Sequence, residues 1–198
     1  MKTDIILAGV GGQGILSIAA TIAMAALDND LYIKQSEVHG MSQRGGAVES
    51  HLRISDKQIA SDLIPVGQAD IIISVEPMEG LRYLSYLSEE GWLVTNSKPY
   101  INIPNYPDMD ELNKAISKIK NHIVLDSDKI ASQIKSPRST NIVMLGAASP
   151  FIDIPYKSFE VGIKNIFGNK GEKVVQLNLD ALKAGREFAQ AHTPVGNI

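Results

Sequence analysis

Short apolar runs, bounded by glycine and polar residues, alternate along the chain with stretches whose apolar residues recur every three or four positions. Ile5, Ile6, Leu7 and Ala8 form the first run, and helical spacing over 15–27 follows a glycine-rich turn. Residues 70–75 read as a strand buried on both faces, and apolar positions at 78, 81, 84 and 87 make the next helical stripe. Residues 92–96 and 122–126 give two more strands, separated by a helix over 108–120 that Asp108 is placed to cap. A different period appears over 47–54. There Val48, Ser50, Leu52 and Ile54 share one face and Ala47, Glu49, His51 and Arg53 the other, which suits an antiparallel edge strand with one wet face. Residues 98–107, with three prolines and two tyrosines, read as a loop or lid. From 140 onward the chain reads as helical, interrupted at Pro150, Pro155 and the turn over 168–171, and 193–198 read as a frayed tail.

Strand and helix alternating through short connections predict an α/β fold with helices on both faces of a mostly parallel sheet, three layers in all. With 198 residues and no internal repeat, the expectation is one domain over 1–198.

The turn after the first strand sharpens that expectation. Gly9-Val10-Gly11-Gly12-Gln13-Gly14 fits G-x-G-x-x-G between a strand and a helix, as in Rossmann-like folds. Missing side chains let the backbone turn sharply there, and the exposed N–H groups at the positive helix end suit a phosphate. A binder of NAD normally adds an acidic residue at the end of the second strand, about 20 residues further on. This chain's second strand reads over 31–35, and the position holds Lys34 or Gln35, with Glu37 slightly late.

A net charge of −3 with no clustered basic run argues against a nucleic-acid surface. No apolar stretch reaches membrane-spanning length, and the start of the chain leads into a strand rather than a signal peptide, so the expected location is cytoplasmic. With no cysteine the chain cannot ligate an iron–sulfur cluster through thiolates or form a disulfide.

A second dense segment, Ser36-Glu37-Val38-His39-Gly40-Met41-Ser42-Gln43-Arg44-Gly45-Gly46, reads as a connection following a strand, where open α/β sheets place their ligands. Arg44 beside two glycines offers a bidentate fork and free N–H groups to a phosphate, a carboxylate or a partner's backbone. His39 offers a hydrogen bond or a proton relay. No nucleophile–base pair is present, so no residue here is expected to be catalytic.

These two segments, together with Glu76-Pro77 closing the 70–75 strand and Asn141 ahead of Leu145-Gly146-Ala147-Ala148, resemble the gamma-type subunits of 2-oxoacid:ferredoxin oxidoreductases, nearest their indolepyruvate branch. The resemblance covers roughly residues 3–190. It implies oxidative decarboxylation of a 2-oxoacid with coenzyme A (CoA) to an acyl-CoA, CO2 and reduced ferredoxin. Thiamine diphosphate, Mg and [4Fe-4S] clusters are then expected on a large partner subunit, through which ferredoxin is served. No G-D-G thiamine signature is evident here, so the chain is expected to be inactive alone and to complete the active-site cleft. Carried over by position, Gly11, Gly12 and Gln13 face the cleft, and His39, Ser42, Gln43, Arg44 and Gly45 form its wall. Glu76 lies at the same sheet edge, either at the ligand or capping the helix that starts with Pro77, and Asn141 bonds a loop carbonyl or caps a helix. An isolated copy is open to homodimerisation. Two other readings stand beside this one: a stand-alone NAD(P)-binding oxidoreductase, and an adenylate-binding or regulatory module, since adenylating enzymes also use G-x-G-G-x-G.

Arg44→Ala should lower the activity of the assembled enzyme without lowering this chain's melting temperature, because a loop position carries little of the core. Wild-type activity together with wild-type stability would contradict that role.

Overall fold

The computed structural model describes residues 1–40 and 45–193. Its six strands are β1 (Lys2–Val10), β2 (Tyr32–His39), β3 (Ala47–Ser55), β4 (Ala69–Ser74), β5 (Leu87–Asn96) and β6 (His122–Leu125), in one sheet ordered β2-β3-β1-β4-β5-β6. β4 pairs parallel to both β1 and β5, and β5 parallel to β6, while β3 lies antiparallel between β1 and β2. The sheet is therefore mostly parallel, with β3 alone running against the rest. The helices are α1 (Ile15–Leu27), α2 (Pro77–Arg82), α3 (Met109–Ile116), α4 (Ser127–Gln133), α5 (Thr140–Ala148), α6 (Tyr156–Phe167) and α7 (Glu172–His192). None is long and apolar enough to cross a membrane.

Helices cover both faces, unequally. On the larger side Ile5, Leu7, Ile71, Ile73, Val94 and Ile123 pack against α1, α4, α5, α6 and α7. On the smaller side Ile6, Ile72 and Leu93 meet Ile116 of α3 and Leu81 of α2. Helix α5 is apolar on every side and buried from Ile142 to Ala148, because the sheet lies beneath it and α7 above. The α5–α7 crossing is close enough that a Cβ at Gly146 would collide with the Leu182 carbonyl, and one at Gly185 with that of Val143.

Three expectations change. The alternating strand over 47–54 is not at the edge: β3 is interior and β2 is the edge. Its polar face is covered rather than wet, since Arg53 donates to the Ser61 and Leu63 carbonyls (3.1 and 3.0 Å) and His51 Nδ1 accepts from the Ile64 amide (3.0 Å). Ser36 to His39 belong to β2, so only the remainder of that segment connects strands. The stripe at 78, 81, 84 and 87 is not one helix: α2 ends at Arg82, a single 3-10 turn spans Leu84–Tyr86, and Leu87 begins β5. Of the four, Leu81 and Leu87 pack on the smaller-side core, so at these two positions the spacing records burial rather than one continuous helix.

Gly185→Ala should cost about 3 kcal/mol by forcing α5 and α7 apart, and lower the melting temperature by roughly 6–12 °C for a chain of this size. An unchanged melting temperature would show that the crossing carries no such constraint.

Candidate functional site

β1 ends at Val10, and the chain reverses into α1 through two left-handed glycines, Gly12 at φ 101° and Gly14 at φ 83°. The loop is held from all sides. Gln13 accepts from the Val10 amide through Oε1 (2.8 Å) and donates from its own amide back to the Val10 carbonyl (3.1 Å). The Gly11 N–H donates to the Gly46 carbonyl (2.9 Å), and Asn141 Nδ2 donates to the Gly14 carbonyl (3.0 Å). Asn141 thus bonds a loop carbonyl, the first of its two expected roles. The amides of Gly11 and Gln13 are consumed internally, whereas those of Gly12 and Gly14 have no partner among the described residues.

Those amides open onto a cavity of about 540 Å³ whose lining includes Gly12, Gln13, Gly14, Ser17, Arg138 and Lys170. The N-termini of α1 and α5 both meet it. Neither helix has a side-chain cap or an acidic residue in its first turn, so each presents its positive end uncompensated. No carboxylate of the described residues lines the cavity, and Phe167, Val174 and Leu177 give it an apolar wall. Two helix ends, a guanidinium and an ammonium give this cavity a positive wall chemically suited to an anion, beside its apolar one. Arg138 and Lys170 carry no sequence motif; Pro137 before a Ser-Thr-Asn helix start was the available signal.

Glu76 is organised differently. It closes β4 with no exposed surface, and its Oε2 accepts from the Glu79 amide (2.8 Å), capping α2. Its Oε1 accepts from the Tyr100 amide (3.3 Å) and from the Tyr106 hydroxyl. Both oxygens are therefore engaged within the chain, and the 97–108 segment is strapped over the sheet's end. From that strap Asn102 donates to the Gly45 carbonyl (2.6 Å), and the Gly45 amide reaches the Gly11 carbonyl (3.4 Å), so the two motif segments are joined through it. His39, at the end of β2, is half exposed and paired with the Glu37 carboxylate, apart from the cavity lining. Ser42, Gln43 and Arg44 lie outside the described residues. The place where a nicotinamide-nucleotide binder would hold its ribose is missing: β2, with Lys34 and Gln35, is separated from β1 by β3, and Lys34 Nζ donates to the Ala60 carbonyl (3.1 Å).

A mixed sheet with this strand order, a glycine turn opening on paired helix ends and a strapped β4 terminus define an α/β fold in which β3 rather than β2 lies next to β1, unlike the arrangement of a dinucleotide dehydrogenase. The chain belongs to the pyruvate ferredoxin/flavodoxin oxidoreductase family, whose model matches residues 4–188. Indolepyruvate oxidoreductase subunit IorB of Archaeoglobus fulgidus is 34% identical, the match covering 98% of each chain. Among solved structures, 2-oxoglutarate:ferredoxin oxidoreductase from Magnetococcus marinus, determined with 2-oxoglutarate, coenzyme A and succinyl-CoA bound, superposes with a TM-score of 0.76 at 24% identity. That match takes in 97% of this chain and 32% of the Magnetococcus chain, so the present chain spans about a third of that protein. Pyruvate oxidoreductase subunit PORC from Thermotoga maritima matches over 94% of this chain and 96% of its own, with a TM-score of 0.69 at 23% identity. At these identities the two structures establish the fold.

Burial, and then the bond to Glu76, raise the Tyr106 hydroxyl above its ordinary pKa of 10.0. The folded chain thus keeps this proton to higher pH than the unfolded chain, so the contribution to stability is complete below pH 10 and is lost as pH climbs beyond it. Tyr106→Phe should cost ~1–2 kcal/mol at neutral pH, flatten the loss of stability above pH 10 and speed chymotryptic cleavage after Tyr100. Identical pH–stability curves and cleavage rates for both proteins would rule out the strap.

Proposed function

We propose that this chain is the cleft-completing subunit of a 2-oxoacid:ferredoxin oxidoreductase acting on an aryl pyruvate, indolepyruvate in the first instance, and that its cavity takes the phosphate-bearing end of CoA. The observation that carries the reading is the convergence of the α1 and α5 N-termini with Arg138 and Lys170 on a cavity that no carboxylate of the described residues lines. The names of the IorB relatives support the substrate class, and the CoA in the Magnetococcus enzyme supports the ligand. CoA's phosphates match the helix ends and the two cations, and its adenine matches the wall of Phe167, Val174 and Leu177.

In this reading the Gly12 and Gly14 amides hold the phosphates, and Ser42, Gln43, Arg44 and Gly45, with His39 at their base, form the wall facing the partner. Gly11, Gln13 and Glu76 position these groups rather than touch the ligand. The large subunit carries thiamine diphosphate with its magnesium ion and the iron–sulfur clusters, in keeping with a chain that has no cysteine, and passes electrons to ferredoxin in the cytoplasm. Those cofactors supply the carbanion chemistry and the electron path; this chain orients CoA and keeps water from the cleft.

The test is co-expression with the candidate large subunit, assaying 2-oxoacid- and CoA-dependent ferredoxin reduction beside each subunit alone. Activity is expected only in the pair. Replacing both Arg138 and Lys170 by alanine should raise KM for CoA by roughly 10–100-fold, since each charge-assisted contact is worth about 1.5–3 kcal/mol before partial compensation. KM for the 2-oxoacid should stay near wild type. An unchanged KM for CoA would remove CoA from this cavity, and activity in the large subunit alone would remove the chain from the reaction.

A further inference from the structure

The sheet has two edges, and they are built differently. β6 is four residues long, short enough to offer little to another strand. β2 runs for eight residues, is paired only to β3, and keeps unbroken register from Tyr32 opposite Ser55 to His39 opposite Val48. It has neither a proline nor a bulge, the usual guards of such an edge. Its one lysine, Lys34, donates to the Ala60 carbonyl, and the Gln35 amide lies across the sheet on Ser50 Oγ (3.1 Å). The outer row of backbone N–H and C=O groups is therefore open among the described residues.

The side chains select an occupant. Tyr32 and Val38 are the large apolar residues exposed on this strand, at 53% and 60%. They share one face and stand equally far on either side of Gln35. A two-fold axis normal to the sheet keeps each face on its own side, so a strand can pair with its own copy only about a residue of its own. Centred on Gln35, the pairing sets Tyr32 against Val38 twice, an aromatic against a β-branched residue, with Ile33 opposite Glu37 and Lys34 opposite Ser36. Centred one residue earlier it would oppose Lys34 to Lys34; centred one later it would oppose Val38 to Lys34 and leave Tyr32 facing Gly40. We propose that two copies of this chain associate along β2, antiparallel and centred on Gln35, merging their sheets into one across the two-fold. This surface lies on the far side of β3 from the glycine-loop cavity and does not depend on what that cavity binds.

Because the chain has no cysteine, a single introduced one reports the register. Directly opposed residues in an antiparallel pair sit ~4.5–5.5 Å apart at Cα, within the span a disulfide bridges. In the purified full-length chain, native mass should be that of a dimer. Gln35→Cys should oxidise to a covalent dimer at least about tenfold faster than Lys34→Cys or Ser36→Cys, whose cysteines oppose other residues in this register. Tyr32→Lys combined with Val38→Lys should give a monomer with unchanged far-ultraviolet circular dichroism. A wild-type monomer at all concentrations, faster cross-linking at position 34 or 36, or a dimer that survives the double lysine change while still folded would each overturn the proposal.

Discussion

A carboxyl group with no water around it must be satisfied by the chain itself, and Glu76 is the point where that requirement organises the molecule. The end of β4 puts it inside, where an unmatched oxygen would cost several kcal/mol. One oxygen is met by the first turn of α2; the other is met by Tyr100 and Tyr106, which lie more than 20 residues further along the chain. That demand draws the proline-rich 97–108 segment over the carboxyl end of the sheet. Asn102 on the same segment holds Gly45, Gly45 and Gly46 exchange hydrogen bonds with Gly11, and the glycine turn is thereby held from one side. From the other side Asn141 fixes the Gly14 carbonyl and brings the start of α5 beside the start of α1.

Function follows from what this network leaves unspent. The amides of Gly11 and Gln13 are consumed in holding the turn; among the described residues those of Gly12 and Gly14, and two helix ends without acidic caps, are not. Leaving a helix N-terminus uncapped forfeits about 1 kcal/mol, a loss that the proposed anion would offset where two such ends converge beside Arg138 and Lys170. The proposed function is a division of labour in which redox cofactors sit on the partner subunit and this chain is a rigid holder for the acyl acceptor.

Much of the fold was legible because its signals are local. The strands at β1, β4 and β6, the glycine turn, and α3 with its Asp108 cap all declare themselves within a few residues. What was not legible depends on distant partners. The polar face of β3 looks solvated until 56–68 folds back to meet Arg53 and His51, and the apolar stripe after Met78 looks helical until Leu87 pairs with Ala69. Helix α4, capped by Asp126, is too short to show a period and left no prediction. The cavity was half visible: Gly12 could be read from the motif, but Arg138 and Lys170 come from two unrelated connections that meet only when α5 and α7 cross. Glu76 had two readings open, and its bonds to α2, Tyr100 and Tyr106 speak for the structural one.

The account turns on whether the paired helix ends receive CoA in the assembled enzyme. Amide hydrogen exchange of the complex, with and without saturating CoA, reads those N–H groups one by one. The account predicts slowed exchange at Gly12, Gly14, Ile15 and Leu16 and at Thr140 and Asn141, with the remainder of α1 and α5 unchanged. CoA-dependent protection confined to the large subunit, with these amides exchanging as before, would contradict it.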